Sequence, residues 1–444
     1  MPLHIRLYTK FVFLLLLATL VFGMLSSWAY LFPESFNQYL PFYQLRPIHT
    51  SAALFFIISA ATLCIILFHK DTLGRDATTA VFEKIFITTW IATILVIFTY
   101  YGFRQFGGRE YWEFPAWLSI PLLFSWVSLM IGYYKGWLKC ADKKPLYIWM
   151  WSTGILFFFI TFIEQNLWQI SWFRQSFLRE LTVQWKANGS MVGAWNQMIY
   201  GSSLFLMVMI SGDKTIARNK KAFFFYFLGL TNLMFNWGHH IYNLPAHGAI
   251  RHISYIISMT EWLIFISIIQ GFKNKLGEAR KLRHLLPYKF LIAAEFWVFA
   301  NLLLALFMSI PAVNRYTHGT HITVAHAMGT TIGINTMILL GVLGYALDID
   351  QKIKSGRKLF TSAYNLAQVS LLIFWLSLIA AGILKGYRSV ALNMTVFQEM
   401  MAPINNVLKL FAVTGIGVAI GIAIIVVQYW QAADKSNRIV KDVK

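Results

Sequence analysis

Ile48-His49-Thr50-Ser51-Ala52-Ala53-Leu54-Phe55-Phe56-Ile57-Ile58-Ser59-Ala60-Ala61-Thr62-Leu63-Cys64-Ile65-Ile66-Leu67-Phe68 contains no charged side chain and has a histidine at its second position. As a helix it spans about 30 Å, the thickness of a bilayer's hydrocarbon core. Runs of this kind recur along the 444 residues, and the expected spans are about twelve: 11–32, 48–68, 84–101, 114–134, 147–168, 190–211, 222–243, 252–272, 288–310, 320–347, 360–384 and 405–430. Charged residues make up only 13% of the chain and hydrophobic ones 58%, with a mean hydropathy of +0.58. Soluble domains carry roughly a quarter charged residues, so an ordinary water-soluble enzyme is excluded. The expected architecture is an all-α polytopic bundle in a lipid bilayer, residues 1–444 forming one transmembrane catalytic domain. The first apolar run continues through Trp28 to Phe32 without a small-residue cleavage site, so it reads as a retained span.

The net charge of +20 has a topological reading. Basic residues gather after the second span (Lys70, Arg75, Lys84), the fourth (Lys135, Lys139, Lys143, Lys144) and the sixth (Lys214, Arg218, Lys220, Lys221). They gather again after the eighth (Lys273, Lys275, Arg280, Lys281, Arg283), the tenth (Lys352, Lys354, Arg357, Lys358) and in the tail (Lys435, Arg438, Lys441, Lys444). The positive-inside rule then makes both termini and every even-numbered connection cytoplasmic, and no nucleic acid is needed to explain the charge. The opposite face carries longer aromatic-rich connections, 33–47, 102–113, 169–189 and 385–404, on which a periplasmic partner has room to dock. Two cysteines, Cys64 and Cys140, make no disulfide framework, and no C-x-x-C-H occurs, so any haem is held without thioether bonds.

Among the eleven histidines, depth in the membrane is the informative property. His49, His239, His240 and His326 come from three distant spans and share the outer third. Histidine inside a membrane is costly unless paired or ligated, so a shared layer reads as a metal or haem site. Helix-end histidines facing headgroups are the alternative. His239 and His240 are about 100° apart if helical, whereas His326 and Met328 are about 200° apart and point to opposite sides of their helix. Met328, taken alone, is either a packing residue or an axial haem ligand.

These residues resemble a known family. Arg46-Pro47-Ile48-His49-Thr50, Gly108-Arg109-Glu110-Tyr111-Trp112-Glu113-Phe114-Pro115, Gly238-His239-His240 and His318-Gly319-Thr320 leading to Ala325-His326-Ala327-Met328 look like the catalytic large subunit of bacterial nitric oxide reductase, in the haem-copper oxidase superfamily. The resemblance implies a low-spin haem b, a high-spin haem b3, a non-haem iron (or copper) and calcium. It also implies a membrane-anchored c-type cytochrome partner on the periplasmic face of the bacterial inner membrane. By position, His49 matches an axial ligand of the low-spin haem and His326 the proximal ligand of haem b3. His239 and His240 match ligands of the non-haem metal, Glu110 a calcium ligand, and Glu113 and Glu261 acids near the reaction chamber or proton route.

The chain departs from that family in three places. Met328 stands where a second low-spin histidine is expected, which makes the low-spin haem His/Met. Asn188 and Val192 stand where the family has a histidine and, four residues later, a glutamate on the metal, with Gln197 and Glu164 as alternatives facing the site. Oxygen-reducing relatives carry a cross-linking tyrosine at the Val192 position, so a proton-pumping oxidase is disfavoured. The expected reaction is reduction of two NO to N2O and water. An NO dismutase-like reaction giving N2 and O2 is the runner-up, and a non-catalytic haem electron-transfer subunit is the third reading.

Overall fold

The computed structural model describes residues 1–74, 76–139, 144–242, 244–245, 247–260, 283–353 and 356–435. Its principal helices are α1 (Leu3–Leu31), α2 (Phe42–Thr72), α3 (Ala77–Gly102), α4 (Ser119–Lys139), α5 (Leu146–Gln165) and α6 (Phe177–Ser211). They continue as α7 (Lys220–Phe235), α8 (from 248 to the limit of description at 260), α9 (Leu285–Ser309), α10 (His321–Ala346), α11 (Arg357–Gly386) and α12 (Asn405–Asp434). Among the described residues nine of these are long and apolar enough to cross a membrane. No strand forms among the described residues, as expected where no water is present to satisfy an open sheet edge.

The other expected spans differ for identifiable reasons. α6 is long, but Asn188, Asn196 and Gln197 interrupt its apolar surface, and it begins at Phe177, well before the expected 190. Ser176 caps it by accepting from the Arg179 N–H, and Gly212 ends it in the left-handed region at φ 70°. α7 stops at Phe235, and Asn236–Ile241 continue as a 3-10 helix. The expected span 252–272 falls largely on residues outside the described ones, and Glu261 is among these.

α2 is the central pillar, its apolar window 89% buried against 33% for α1. One continuous core ties it to α1, α3 and α6, and α11 pairs with α12. Close helix contacts rely on small residues, as is usual in bilayers. Gly189 and Gly193 on α6 face Trp237 and Leu233, where an added Cβ would sit 2.6 and 2.8 Å from the nearest atom.

Candidate functional site

The loop between α3 and α4 carries the two acids singled out in sequence. It closes by Gly107 and Gly108 N–H donating to the Glu113 carbonyl, and Gly108 is obligatory there because a Cβ would collide with the Trp112 carbonyl oxygen. Tyr111 takes φ 77°, a strained value for a bulky residue. The result turns both acids onto Arg46 of α2: Nη2 donates to Glu110 Oε1 at 2.8 Å and Nη1 to Glu113 Oε1 at 2.9 Å. Burial, opposed by Arg46, holds the Glu113 carboxyl above the usual carboxylate range. Its Oε2 is buried without a hydrogen-bond partner.

One helical turn along α2 from Arg46, His49 directs Nδ1 at the Thr19 carbonyl of α1, 2.9 Å away. A carbonyl only accepts, so Nδ1 carries the proton and Nε2 keeps the lone pair. Gly23 makes space for the ring, since a Cβ would meet Cε1 at 2.8 Å.

α10 changes geometry at the residues of interest. Capped by the Thr320 hydroxyl, it is α-helical over His321–Met328 and then a π-helix over Gly329–Thr336 before reverting at Met337. His326 and Met328 therefore keep α-helical spacing and opposite directions. Asn301 of α9 donates to both the His326 carbonyl (3.1 Å) and Thr330 Oγ1 (2.8 Å), bracing the start of the π segment. α2 packs on that segment just beyond Met328. The His326 ring lies beside the Asn301 backbone.

His239 and His240 lie on the 3-10 turn, not on an α-helix, so their side chains diverge by about 120° per residue rather than 100°. Their ring centroids are 4.2 Å apart at 42°. Gly189 of α6 lies under this turn, with the His240 Cδ2 3.7 Å from the position a Cβ would take. Beside it, Asn188 is 1% exposed and neither amide atom has a partner. Trp185, which sequence reasoning missed, stacks on His240 with centroids 5.1 Å apart and planes within 14°. The His240 ring lies within electrostatic reach of His326 and His318. The two alternatives to Asn188 lie elsewhere: Glu164 is bound by Lys186, with Nζ 2.6 Å from Oε2, and Gln197 faces Gly229 of α7. Among the described residues no three His, Cys, Asp or Glu side chains converge into a metal cage.

A family profile described as Cytochrome C and Quinol oxidase polypeptide I matches residues 4–418. The chain belongs to that family. A nitric oxide reductase subunit of Stutzerimonas stutzeri is 23% identical over 367 residues, covering 77% of this chain and 74% of the relative. Cytochrome c oxidase subunit 1 of Rhodobacter capsulatus is 22% identical over 374 residues, covering 79% and 68%. A haem-copper terminal oxidase dimer solved by cryo-electron microscopy has the same fold, at TM-score 0.63 over 97% of this chain and 83% of that one with 12% identity. The superfamily expected from the motifs is thus the one matched, and this chain is a multi-pass membrane protein of the haem-copper oxidase subunit I type.

Members of this family are oxidoreductases that bind haems and a second metal, and several residues here fit such groups. His49 has the fixed tautomer of a histidine that ligates through Nε2. The unpaired buried amide of Asn188 carries a cost of about 1–3 kcal/mol that a bound group or water relieves. The acidic pair fits calcium less well, because the Arg46 guanidinium already sits between the two carboxylates. Calcium prefers bare carboxylate oxygens.

Proposed function

We propose that this chain is a nitric oxide reductase-like catalytic subunit that converts two NO, two electrons and two protons into N2O and water. The observation that carries the proposal is the surface of α6 by His240: Gly189 against its ring, buried Asn188 next to that glycine in sequence, and Val192, not a tyrosine, one turn beyond Asn188. That surface offers no phenol for the cross-link of oxygen-reducing relatives, and it carries a buried neutral amide next in sequence to the glycine under the paired imidazoles.

In this reading His49 and Met328 hold the low-spin haem, His326 holds haem b3, and His239 and His240 hold the second metal with Asn188 beside it. When bound, the haems supply one-electron transfer and the metal a Lewis acid. The chain's own groups do the rest. Thr19 fixes the His49 tautomer, and Asn301 with Thr330 braces the backbone of His326. Glu113, with its raised proton affinity and unpaired Oε2, is the group placed to take up and pass on a proton on the face opposite the basic connections. Arg46 keeps Glu110 and Glu113 together one helical turn from His49. Electrons come from a membrane-anchored c-type cytochrome docked on the same face, and the membrane is the bacterial inner membrane.

A dismutase-like outcome is favoured by one specific feature, the absence of a histidine and a carboxylate at positions 188 and 192. Anaerobic turnover of purified, haem-loaded protein with an artificial electron donor separates the readings by product. N2O stoichiometric with two electrons supports the proposal. N2 with O2 gives the dismutase, and no NO consumption gives an electron-transfer subunit.

A further inference from the structure

We infer that Trp185 is a positioning residue that sets the ring plane of His240, standing in for the orientation that a fuller metal ligand set would impose. The inference rests on the reading of His239 and His240 as metal ligands.

Two imidazoles define only part of a coordination sphere, so each ring must be oriented by something else. In metal sites this falls to partners outside the ligand set, usually a hydrogen bond on the second ring nitrogen. Here the turn's backbone is fixed first. Gly189 of α6 and Gly238 of the turn itself are both close-packed, a Cβ at Gly238 meeting Ile250 Cγ2 at 2.7 Å and one at Gly189 meeting Trp237 Cβ at 2.6 Å. The turn therefore sits between α6 and α8 and cannot shift away from either. The remaining freedom of His240 is rotation of its ring, and Trp185 lies nearly parallel to it at 14° with a 5.1 Å centroid separation. Trp185 and Gly189 are four residues apart and so share one face of α6. One places the backbone of the turn, the other its imidazole.

A tryptophan in the outer part of a membrane helix commonly serves as an interfacial anchor. That role asks for a ring exposed to headgroups. Trp185 is partly buried and has its face against an imidazole. A flat aromatic wall also leaves both nitrogens of His240 available, which a hydrogen-bonding neighbour would not.

The test uses full-length, haem-loaded protein in detergent, with Fe2+ as the probe metal. Two signals are read: the rate at which Fe2+ is lost to ferrozine, and the rhombicity of the S = 3/2 electron paramagnetic resonance signal formed by NO on non-haem Fe2+. Trp185→Leu is expected to release Fe2+ about tenfold faster, the lower end of what outer-sphere changes cost, and to alter the rhombicity. Trp185→Phe, which keeps an aromatic face, is expected to restore most of both. Haem content per chain reports folding, and Trp185→Met is a second ringless variant of similar bulk should the leucine variant not load haem. Release and signal unchanged in the ringless variants overturn the inference, as does a phenylalanine variant no better than leucine. If wild type and His240→Ala alike retain no Fe2+, the metal reading of the paired histidines is itself overturned, an outcome distinct from a metal held identically with and without the ring.

Discussion

Replacing Gly23 by alanine is a direct perturbation of the His49 environment. The new Cβ would stand 2.8 Å from His49 Cε1 and 3.0 Å from Nδ1. Ordinary contact begins near 3.4 Å, so the ring must retreat by about 0.6 Å or α1 must move away from α2. A retreat of that size stretches the 2.9 Å bond to the Thr19 carbonyl beyond the normal hydrogen-bond range. Its loss costs about 1 kcal/mol and the overpacking about 1–3 kcal/mol, against a gain of about 1 kcal/mol from alanine's helix preference. The net is a destabilisation of roughly 1–3 kcal/mol centred on the residue expected to hold the low-spin haem. Gly415→Ala on α12 is the control, because its Cβ meets Phe374 at an ordinary 3.5 Å and only the helix preference changes. Haem content by pyridine haemochrome, the reduced low-spin bands and the melting temperature in detergent are the measurements. Gly23→Ala should lose low-spin haem and melt lower, while Gly415→Ala keeps both haems and melts slightly higher. Two full haems, unchanged bands and a raised melting temperature in Gly23→Ala would refute the ring-space argument and the placement of His49.

Met328→Ala should remove the low-spin bands and leave the haem on His326 in place, because the two side chains leave α10 in opposite directions; unchanged low-spin bands would remove Met328 from the ligand set. Asn188→His should slow metal loss, whereas His239→Ala or His240→Ala should remove the metal with both haems retained; metal content equal to wild type in both alanine variants would make the pair helix-end residues. On the opposite, basic face, burial outweighs the Leu286 N–H and Arg357 and lifts the Asp350 carboxyl to about 6. The folded form thus binds this proton more tightly than the unfolded chain, and Asp350 costs stability progressively as pH rises from about 4 to 6. Asp350→Asn should therefore stabilise by on the order of 1–2 kcal/mol at pH 7.5, after allowance for solvent screening, and not at pH 4. Thermal unfolding in detergent reads this, and a pH-independent gain would contradict the shift.

The spans were legible in the sequence because a bilayer leaves the chain little choice. Backbone groups must be paired within the segment, so a long apolar run becomes a helix whatever its neighbours do. Residues 48–68, 360–384 and 405–430 fall wholly within observed helices, and 288–310 overruns α9 only by the residue after Ser309. The superfamily was legible through the resemblance of the motifs around His49, Glu110, His240 and His326, and the His326–Met328 divergence through helical spacing. Hydropathy marks where the hydrocarbon ends, not where a helix ends. That is why α6 begins at Phe177, its first turns carrying Arg179, Glu180 and Lys186, which water and ion pairs tolerate. Local geometry that depends on neighbours was not legible. The 3-10 turn carrying His239 and His240 and the π-helix after Met328 lie where close packing at Gly189 and Gly238 and the hydrogen bonds of Asn301 act on the chain. Pairings between distant segments were equally hidden. Arg46 with Glu110 and Glu113, His49 with Thr19 and Gly23, and Trp185 with His240 join residues whose partners are fixed only when α1, α2, α6 and the loop before α4 come together. Composition and period specify what each segment must bury, whereas the orientation of an imidazole depends on which atoms of another segment stand within a few ångströms of it.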